Sequence, residues 1–147
     1  MRDKLIGIVP STRPDRLMDL FVSLMLSSDN FPVYVLAQGY SEQQRDFIER
    51  FKPSFITVFF CDKVSYMGVP GITQRLIDMC PDSDYIYMFD DDFVFTPYSL
   101  HNIKTALHEM EKVEGVGAVS FLAKNHSNKH LGLIKASSST LLSFVSS

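Results

Sequence analysis

Four continuous apolar runs, separated by amphipathic segments, constrain the fold of this chain more than any other feature of its sequence. The runs are residues 5–9, 33–37, 55–60 and 85–89. A strand buried on both faces has such an uninterrupted apolar run, and the segments between the runs have the apolar spacing of helices. Strands that alternate with helices form parallel sheets with right-handed crossovers. The sequence therefore predicts an α/β fold with a mostly parallel central sheet flanked by helices.

Short polar motifs predict where the helices begin. We expect Thr12 and Asp15 to cap the first helix, and Ser41 and Gln44 to form a capping box at the second. The remaining predicted elements are a short helix after the third strand, a helix over 96–113 and a fifth strand over 116–122.

Length and composition indicate one ordinary globular domain. The chain has 147 residues and 21% charged residues, which fits a single domain over 1–147 with a real core. We expect residues 5–122 to form that core. Residues 123–147 form a short C-terminal segment that we do not assign to helices or strands. The net charge of −3 indicates no basic face for nucleic acid.

The cysteines and the N-terminus favour a cytoplasmic protein. Cys61 and Cys80 are isolated and lack metal-ligand spacing, so we expect reduced core thiols. The apolar run before Pro10 covers only residues 5–9, which is too short for a signal peptide or a membrane span.

Three consecutive carboxylates, Asp90, Asp91 and Asp92, follow the fourth apolar run. Along an extended strand Asp90 and Asp92 would share one face and Asp91 would take the other. Like charges this close raise one another's pKa, and a hard divalent cation that also binds phosphate relieves their repulsion. We therefore expect a Mn²⁺ or Mg²⁺ site with Asp90 and Asp92 as ligands. The alternative is an acidic turn that closes an ordinary strand.

The predicted sheet gathers four polar segments at one edge. Residues 10–13, 38–41, 62–64 and 90–92 each follow a predicted strand. Ligands of parallel α/β sheets bind beyond the carboxyl ends of the strands, so we expect the functional site there.

The order and spacing of these segments resemble the nucleotide-sugar-binding half of GT-A-fold glycosyltransferases, most of all those of family 2. Residues 10–13 (Pro-Ser-Thr-Arg) resemble that family's Pro-Thr-x-x-Arg-like loop, and residues 71–75 (Gly-Ile-Thr-Gln-Arg) its Gly-x-x-x-Ala-Arg-Asn segment. Residues 88–92 (Met-Phe-Asp-Asp-Asp) resemble its apolar strand that runs into Asp-x-Asp. The resemblance covers residues 5–122 and implies a Rossmann-like GT-A fold.

The resemblance also implies a function and a set of binding residues. The implied activity is metal-dependent transfer of a sugar from a nucleoside-diphosphate sugar to an acceptor. Asp92 and Asp90 would hold Mn²⁺ or Mg²⁺, with Asp90 or Asp91 contacting the ribose or the metal's waters. The residues implied to bind the nucleotide sugar are Pro10, Thr12, Arg13, Gln38, Arg75, Asp90 and Asp91.

A segment near the C-terminus resembles a second family. Residues 130–135 are similar to the His-x-x-Gly-x-x-Lys segment of retaining family 8 enzymes, with a spacing one residue shorter. That resemblance implies His130 as a further metal ligand. His126 is an alternative ligand, and an exposed tail histidine is the plainer interpretation.

The chain departs from the family pattern at two points. Gln38 stands where the family commonly has an acidic residue that recognises the nucleobase, and no carboxylate side chain follows Glu114, where inverting members place a general base. No catalytic residue is therefore assigned. Three explanations stay open: the acceptor half lies outside this chain, the transfer is retaining, or the chain has no catalytic activity.

These departures keep two other functions in view. One is a catalytically incomplete module that binds nucleotide sugar, or a partner, without turnover. The other is a phosphotransferase of the haloacid dehalogenase type, although those enzymes usually open the chain with their Asp-x-Asp motif. The acceptor is a glycan, a protein, a small molecule or a modified DNA base, and a partner chain or an oligomer could complete its site.

Overall fold

The computed structural model describes residues 3–27, 29–62, 68–113, 118–120 and 132–135. In chain order the elements are β1 (Asp3–Ser11), α1 (Pro14–Met25), β2 (Val33–Gln38), α2 (Glu42–Phe51), β3 (Ile56–Cys61), α3 (Gly68–Met79), β4 (Ser83–Met88), α4 (Ser99–Glu111), β5 (Ala118–Ser120) and β6 (Gly132–Lys135). The strands form one six-stranded sheet in the order β3-β2-β1-β4-β6-β5.

The first four strands form the parallel part of this sheet. β1 pairs with β2 on one side and with β4 on the other, and β2 pairs with β3, all in parallel. Residue Gly7 of β1 thus lies between Val33 of β2 and Tyr87 of β4. This arrangement confirms the predicted α/β fold, and the strand before the acidic triplet lies inside the sheet and parallel to the first strand.

The last two strands reverse the direction of the sheet. β6 runs antiparallel to β4, with Gly132 opposite Met88, and β5 runs antiparallel to β6, with Ser120 opposite Gly132. β5 lies within the predicted fifth strand over 116–122. β6 was not predicted, because an apolar run of about four residues is too short for its periodicity to distinguish a strand from a loop.

Helices cover both faces of the sheet. The larger apolar core joins alternate residues of β1 to the buried faces of α1, α2 and α4. The smaller core lies on the opposite face, where Ile72 and Leu76 of α3 pack against Ile6 and Ile8 of β1. None of the helices within the described residues is long and apolar enough to span a membrane.

Two of the predicted helix starts differ from the observed ones. α1 begins at Pro14 after Arg13, and no side chain caps it, so the predicted cap by Thr12 is wrong. Proline has no backbone N–H to satisfy at this position and its fixed φ suits a helix, so Pro14 favours a helix start here without a side-chain cap. α4 begins at Ser99, later than the predicted residue 96, because the N–H of Ser99 bonds the Thr96 carbonyl in a turn at 3.0 Å.

The predicted capping box of α2 is confirmed. The backbone N–H of Gln44 donates to Ser41 Oγ at 3.2 Å, and the backbone N–H of Ser41 donates to Gln44 Oε1 at 2.8 Å. Two backbone donors that the helix itself cannot satisfy are thereby paired.

Candidate functional site

The acidic triplet lies in a turn at the carboxyl end of β4. β4 ends at Met88, and the backbone N–H of Phe93 donates to the Asp90 carbonyl oxygen at 3.3 Å. The alternation of faces expected along a strand therefore does not extend to the triplet. Instead, Asp91 is buried while Asp90 and Asp92 are partly exposed.

Asp91 accepts a hydrogen bond from a buried hydroxyl at the end of β1. Ser11 Oγ donates to Asp91 Oδ2 at 2.8 Å, and Tyr40 Oη lies 2.5 Å from Ser11 Oγ. A serine hydroxyl has a single proton, which here points to the carboxylate, so Tyr40 is the donor to Ser11. The three side chains form a directed relay from Tyr40 through Ser11 to Asp91.

Burial keeps Tyr40 in its donor form. Its phenol is buried at the end of the β2 segment, and burial raises the pKa of Tyr40 to about 12. The Tyr40 hydroxyl therefore stays protonated, and able to donate a hydrogen bond to Ser11, up to a higher pH than an exposed tyrosine would.

Arg13 covers the solvent side of Asp91. Its Nε donates to Asp91 Oδ2 at 3.4 Å and its Nη2 donates to Asp91 Oδ1, while Nη2 lies 3.7 Å from Asp92 Oδ2. The hydrogen bond to Asp91 raises the pKa of Arg13 further above its ordinary value. Arg13 thus bridges two neighbouring carboxylates and offsets their mutual repulsion.

The chain reaches this arrangement through the ends of β1 and β2. Ser11 is the last residue of β1, opposite Ala37 of β2, so its side chain lies at the carboxyl edge of the sheet. After β2, Gly39 turns the chain with a φ of 72°, and its N–H donates to the Cys61 carbonyl oxygen at 2.9 Å. This turn directs Tyr40 back toward Ser11.

Arg45 of α2 contacts the turn at Gly39 and Tyr40. Its Nε donates to the Tyr40 carbonyl oxygen at 3.2 Å, and its guanidinium lies 5.6 Å from the centre of the Phe60 ring. A weaker ion pair at 4.0 Å joins Arg45 to the exposed Asp62 after β3. The ends of β2 and β3 are therefore linked beside the relay.

The structure brings most of the predicted nucleotide-binding residues to this edge. Half-buried Pro10 and exposed Thr12 flank Ser11, and buried Gln38 ends β2. Arg75 lies half-buried on α3, and within the described ranges it makes no hydrogen bond or ion pair with the acidic triplet. His130 and His126 lie outside the described residues.

Sequence reasoning missed Ser11 and Tyr40 as members of the site. Both are polar residues that follow predicted strands, within the same segments that had been singled out as ligand-binding edges. Their position at strand ends was a usable signal, but a serine and a tyrosine there have many possible partners. Only the folded sheet shows that Asp91 is the shared one.

The acidic triplet has the right donor chemistry for a hard cation. Among the described residues no group of three or more His, Cys, Asp or Glu side chains is placed to hold a metal ion. Asp90 and Asp92 nevertheless offer the carboxylate oxygens that Mg²⁺ and Mn²⁺ prefer. Such ions often take only one or two carboxylates and complete their shell with phosphate and water. The described residues therefore do not by themselves supply a complete set of protein ligands for such an ion.

Neither a protein-family model nor a curated protein matches the chain. Solved structures do match it. TarS 1-349 of S. aureus superimposes with a TM-score of 0.61 and 14% identity, covering 90% of this chain and 47% of TarS 1-349. The same TarS fragment in complex with UDP-GlcNAc gives a TM-score of 0.62 at 16% identity, covering 90% of this chain and 45% of the other. The chain therefore spans about half the length of the TarS fragment.

A second similar structure is Rv0371c of Mycobacterium tuberculosis H37Rv in complex with manganese. Its TM-score is 0.60 at 12% identity, with 99% of this chain and 76% of the other covered. A 4-diphosphocytidyl-2C-methyl-D-erythritol synthase has a TM-score of 0.56 at 12% identity, covering 92% of this chain and 76% of the synthase. The fold of this chain is thus GT-A-like, as the resemblance implied.

Proposed function

We propose that this chain binds a nucleoside-diphosphate sugar at the carboxyl edge of its parallel strands and, with a divalent metal ion, transfers the sugar to an acceptor. The observation that carries the proposal is the contact between the acidic turn after β4 and the loop after β1, where Ser11 and Arg13 both bond Asp91. This contact lies at the edge where parallel α/β sheets bind ligands. The UDP-GlcNAc complex of TarS, which has a similar fold, supports a nucleotide sugar as the donor.

Charge is the main chemical requirement at this site. Sugar transfer releases a nucleoside diphosphate, so negative charge grows on the phosphate oxygens as the bond breaks. Arg13 supplies a fixed positive charge beside the triplet, and Arg75 of α3 is a further cation on the same domain. A Mn²⁺ or Mg²⁺ ion held by Asp92 and Asp90 would supply Lewis-acid stabilisation of the departing diphosphate. The manganese complex of Rv0371c supports this choice of cation.

The nucleoside part of the donor would lie along the loops after β1 and β2. Pro10 and Thr12 offer a surface beside the relay, and Gln38 offers an amide that both donates and accepts hydrogen bonds. Asp90 is more accessible than Asp91 to a ribose hydroxyl, because Asp90 is partly exposed and Asp91 is buried.

The acceptor part of the reaction needs more than the donor edge. The chain spans about half of the TarS fragment, so walls for an acceptor can come from further residues of a longer chain, a partner chain or an oligomer. A general base or a substitute must come within hydrogen-bond reach of the acceptor hydroxyl. The acceptor class stays open among glycans, proteins, small molecules and modified DNA bases.

One observation favours a binding module without turnover as the second candidate function. Arg13 already neutralises Asp91 and lies close to Asp92. A domain of this kind would hold nucleotide sugar and leave the chemistry to a partner. The GT-A-like fold gives no support to the haloacid-dehalogenase-like alternative.

Calorimetry with a panel of nucleotide sugars tests the proposal. We expect at least one donor to bind about tenfold more tightly with Mn²⁺ than with EDTA, because its phosphates complete the ion's shell. Asp92→Asn should abolish that difference. Asp82→Asn is the matched control, since Asp82 is an exposed aspartate just before β4, at the opposite edge of the sheet.

The outcomes separate the two candidate functions. If no nucleotide sugar binds, or if Asp82→Asn weakens binding as much as Asp92→Asn, the donor-site proposal is wrong. If a donor binds but the protein releases no nucleoside diphosphate with any acceptor in a panel, the binding module is favoured. Release at roughly 1–10 per second with a simple acceptor would make the chain a complete transferase.

A further inference from the structure

We infer that Asp91 is a positioning residue that anchors Arg13, and that Arg13 held in this way is the chain's own diphosphate-binding group. The inference rests on the proposed function, and it divides the acidic triplet into two roles. Asp91 would orient Arg13, while Asp92 and Asp90 would bind the metal ion and the donor.

The burial and bonding of Asp91 support its role as an anchor. Its side chain is only 5% exposed, compared with 18% for Asp92. Both of its oxygens are engaged, since Oδ2 accepts from Ser11 Oγ and Arg13 Nε while Oδ1 accepts from Arg13 Nη2. A carboxylate enclosed in this way has little capacity left for a ribose hydroxyl or for the waters of a metal ion.

Ser11 and Tyr40 fix the direction in which Asp91 points. Ser11 Oγ accepts from the Arg13 backbone N–H at 3.3 Å and from Tyr40, and it donates to Asp91. Ser11 thus holds the backbone of Arg13 as well as the carboxylate that Arg13 bonds. Arg13 is thereby constrained both at its backbone N–H and at its guanidinium group.

Arg13 has the exposure and the remaining donors to bind phosphate. Its side chain is 47% exposed although its guanidinium is anchored. Within the described part of the chain, the Arg13 side chain donates hydrogen bonds through Nε and Nη2. Its two Nη1 protons take no part in these bonds. A planar guanidinium with fixed orientation suits the bidentate geometry of phosphate oxygens, and its fixation reduces the entropy lost on binding.

The same geometry implies that Arg13 and a metal ion oppose each other. Nη2 lies 3.7 Å from Asp92 Oδ2, so a cation bound by Asp92 would lie close to the positive charge of Arg13. Removal of Arg13 should therefore weaken phosphate binding and strengthen binding of the bare metal. A residue with a merely structural role would not shift these two affinities in opposite directions.

The main experiment measures these two affinities separately by calorimetry. The probes are inorganic pyrophosphate in EDTA, which needs no knowledge of the nucleobase, and MnCl₂ alone. We expect Arg13→Gln to weaken pyrophosphate binding about tenfold, as for loss of a hydrogen bond between charged groups, and to tighten Mn²⁺ binding about threefold. Arg50→Gln is the control, because Arg50 is an exposed arginine in the last turn of α2 and its loss changes the net charge equally.

A second experiment tests the anchor itself through a double-mutant cycle. We expect Ser11→Ala to weaken pyrophosphate binding about threefold in the otherwise unchanged protein and to have no effect in the Arg13→Gln background. Thermal melts verify folding, and Tyr40→Phe is a milder variant that removes only the hydroxyl donating to Ser11. An effect of Ser11→Ala that persists without Arg13 would show that Ser11 contacts phosphate directly, and would overturn the anchor.

The failure of this inference can be told apart from the failure of the proposed function. If the protein binds neither nucleotide sugars nor pyrophosphate, the proposed function is wrong and the inference falls with it. If nucleotide sugars bind, but Arg13→Gln changes pyrophosphate affinity no more than Arg50→Gln does, only the inference is wrong. Unchanged or weaker Mn²⁺ binding in Arg13→Gln would also contradict it.

Discussion

The backbone N–H of Phe89 donates a hydrogen bond of 3.2 Å to the carbonyl oxygen of Ile8, one residue before the acidic triplet begins. This bond extends the parallel ladder in which Ile8 lies opposite Met88. The acidic turn therefore begins beside the end of β1, and the hydrogen bonds from Ser11 and Arg13 to Asp91 join the two segments beyond the end of the ladder.

Removal of the Tyr40 hydroxyl should destabilise the fold modestly. Tyr40→Phe leaves the buried Ser11 hydroxyl without one of its donors, which typically costs about 1 kcal/mol of unfolding free energy. Urea denaturation measures the change. Tyr98→Phe is the control, since Tyr98 is 69% exposed before α4, and an equal loss in both variants would contradict a special role for the relay.

The turn at Gly39 should accept asparagine better than alanine. Its φ of 72° lies in the left-handed region, where a side chain with a Cβ costs roughly 1–2 kcal/mol, and asparagine tolerates that region more readily than most residues. We expect Gly39→Ala to lower the free energy of unfolding by that amount and Gly39→Asn by less. Gly39 is exposed, so differences in packing do not affect the comparison. Equal losses of unfolding free energy in Gly39→Ala and Gly39→Asn would show that the left-handed backbone conformation is not the cause.

A methyl group at Gly7 should disturb the centre of the sheet. A Cβ there would lie 3.1 Å from Phe31 Cε2 and Phe89 Cε1, and 3.2 Å from Val33 Cγ2. Overpacking of this kind costs typically 1–3 kcal/mol, so we expect Gly7→Ala to lower the melting temperature clearly. Restoration of the lost stability by Phe31→Leu in the same protein would support the steric cause, whereas a neutral Gly7→Ala would refute it.

The stability of the protein should fall at alkaline pH in part because of Tyr87. Burial raises the pKa of Tyr87 from its ordinary value of 10.0 to about 12. Between these pH values the unfolded chain releases a proton that the folded chain keeps, so the unfolding free energy decreases as pH rises, by up to about 1.4 kcal/mol per unit. Below pH 10 both states keep the proton and this dependence disappears.

Denaturation of Tyr87→Phe across this range measures the contribution of Tyr87. The variant should lose stability less steeply than the parent protein between pH 10 and 12. Tyr98→Phe, which removes an exposed phenol, should keep the parental slope. Identical slopes for Tyr87→Phe and the parent would show that Tyr87 does not titrate as its burial predicts.

Much of the fold was predictable because its signals are local. The apolar runs at β1 and β4 are each contained within a few residues, and so is the capping box of Ser41 and Gln44. Periodicity and capping require no knowledge of distant residues. The parallel arrangement then followed from the order of the elements, since short crossovers through helices allow few alternatives.

The candidate site was less predictable because its contacts are distant in sequence. Ser11 and Asp91 are separated by 80 positions, and their hydrogen bond depends on the register between β1 and β4. Arg13 was expected near the nucleotide. No local feature of the sequence, however, indicated that the Asp91 side chain would be buried in contact with Arg13. β6 was not assigned because its four residues are too few for a periodic signal, and its pairing with β4 joins positions far apart in the sequence.

The reversal of direction at β6 ties the antiparallel pair of strands to the strand that presents the acidic triplet. Ser120 lies opposite Gly132, and Gly132 lies opposite Met88, so the last residue of β5 and the first residue of β6 stand at the level where the acidic strand ends. A shift of β4 along its own axis would therefore break its pairing with β1 on one side and with β6 on the other. The position of the acidic turn is thus fixed by ladders on both sides of its strand.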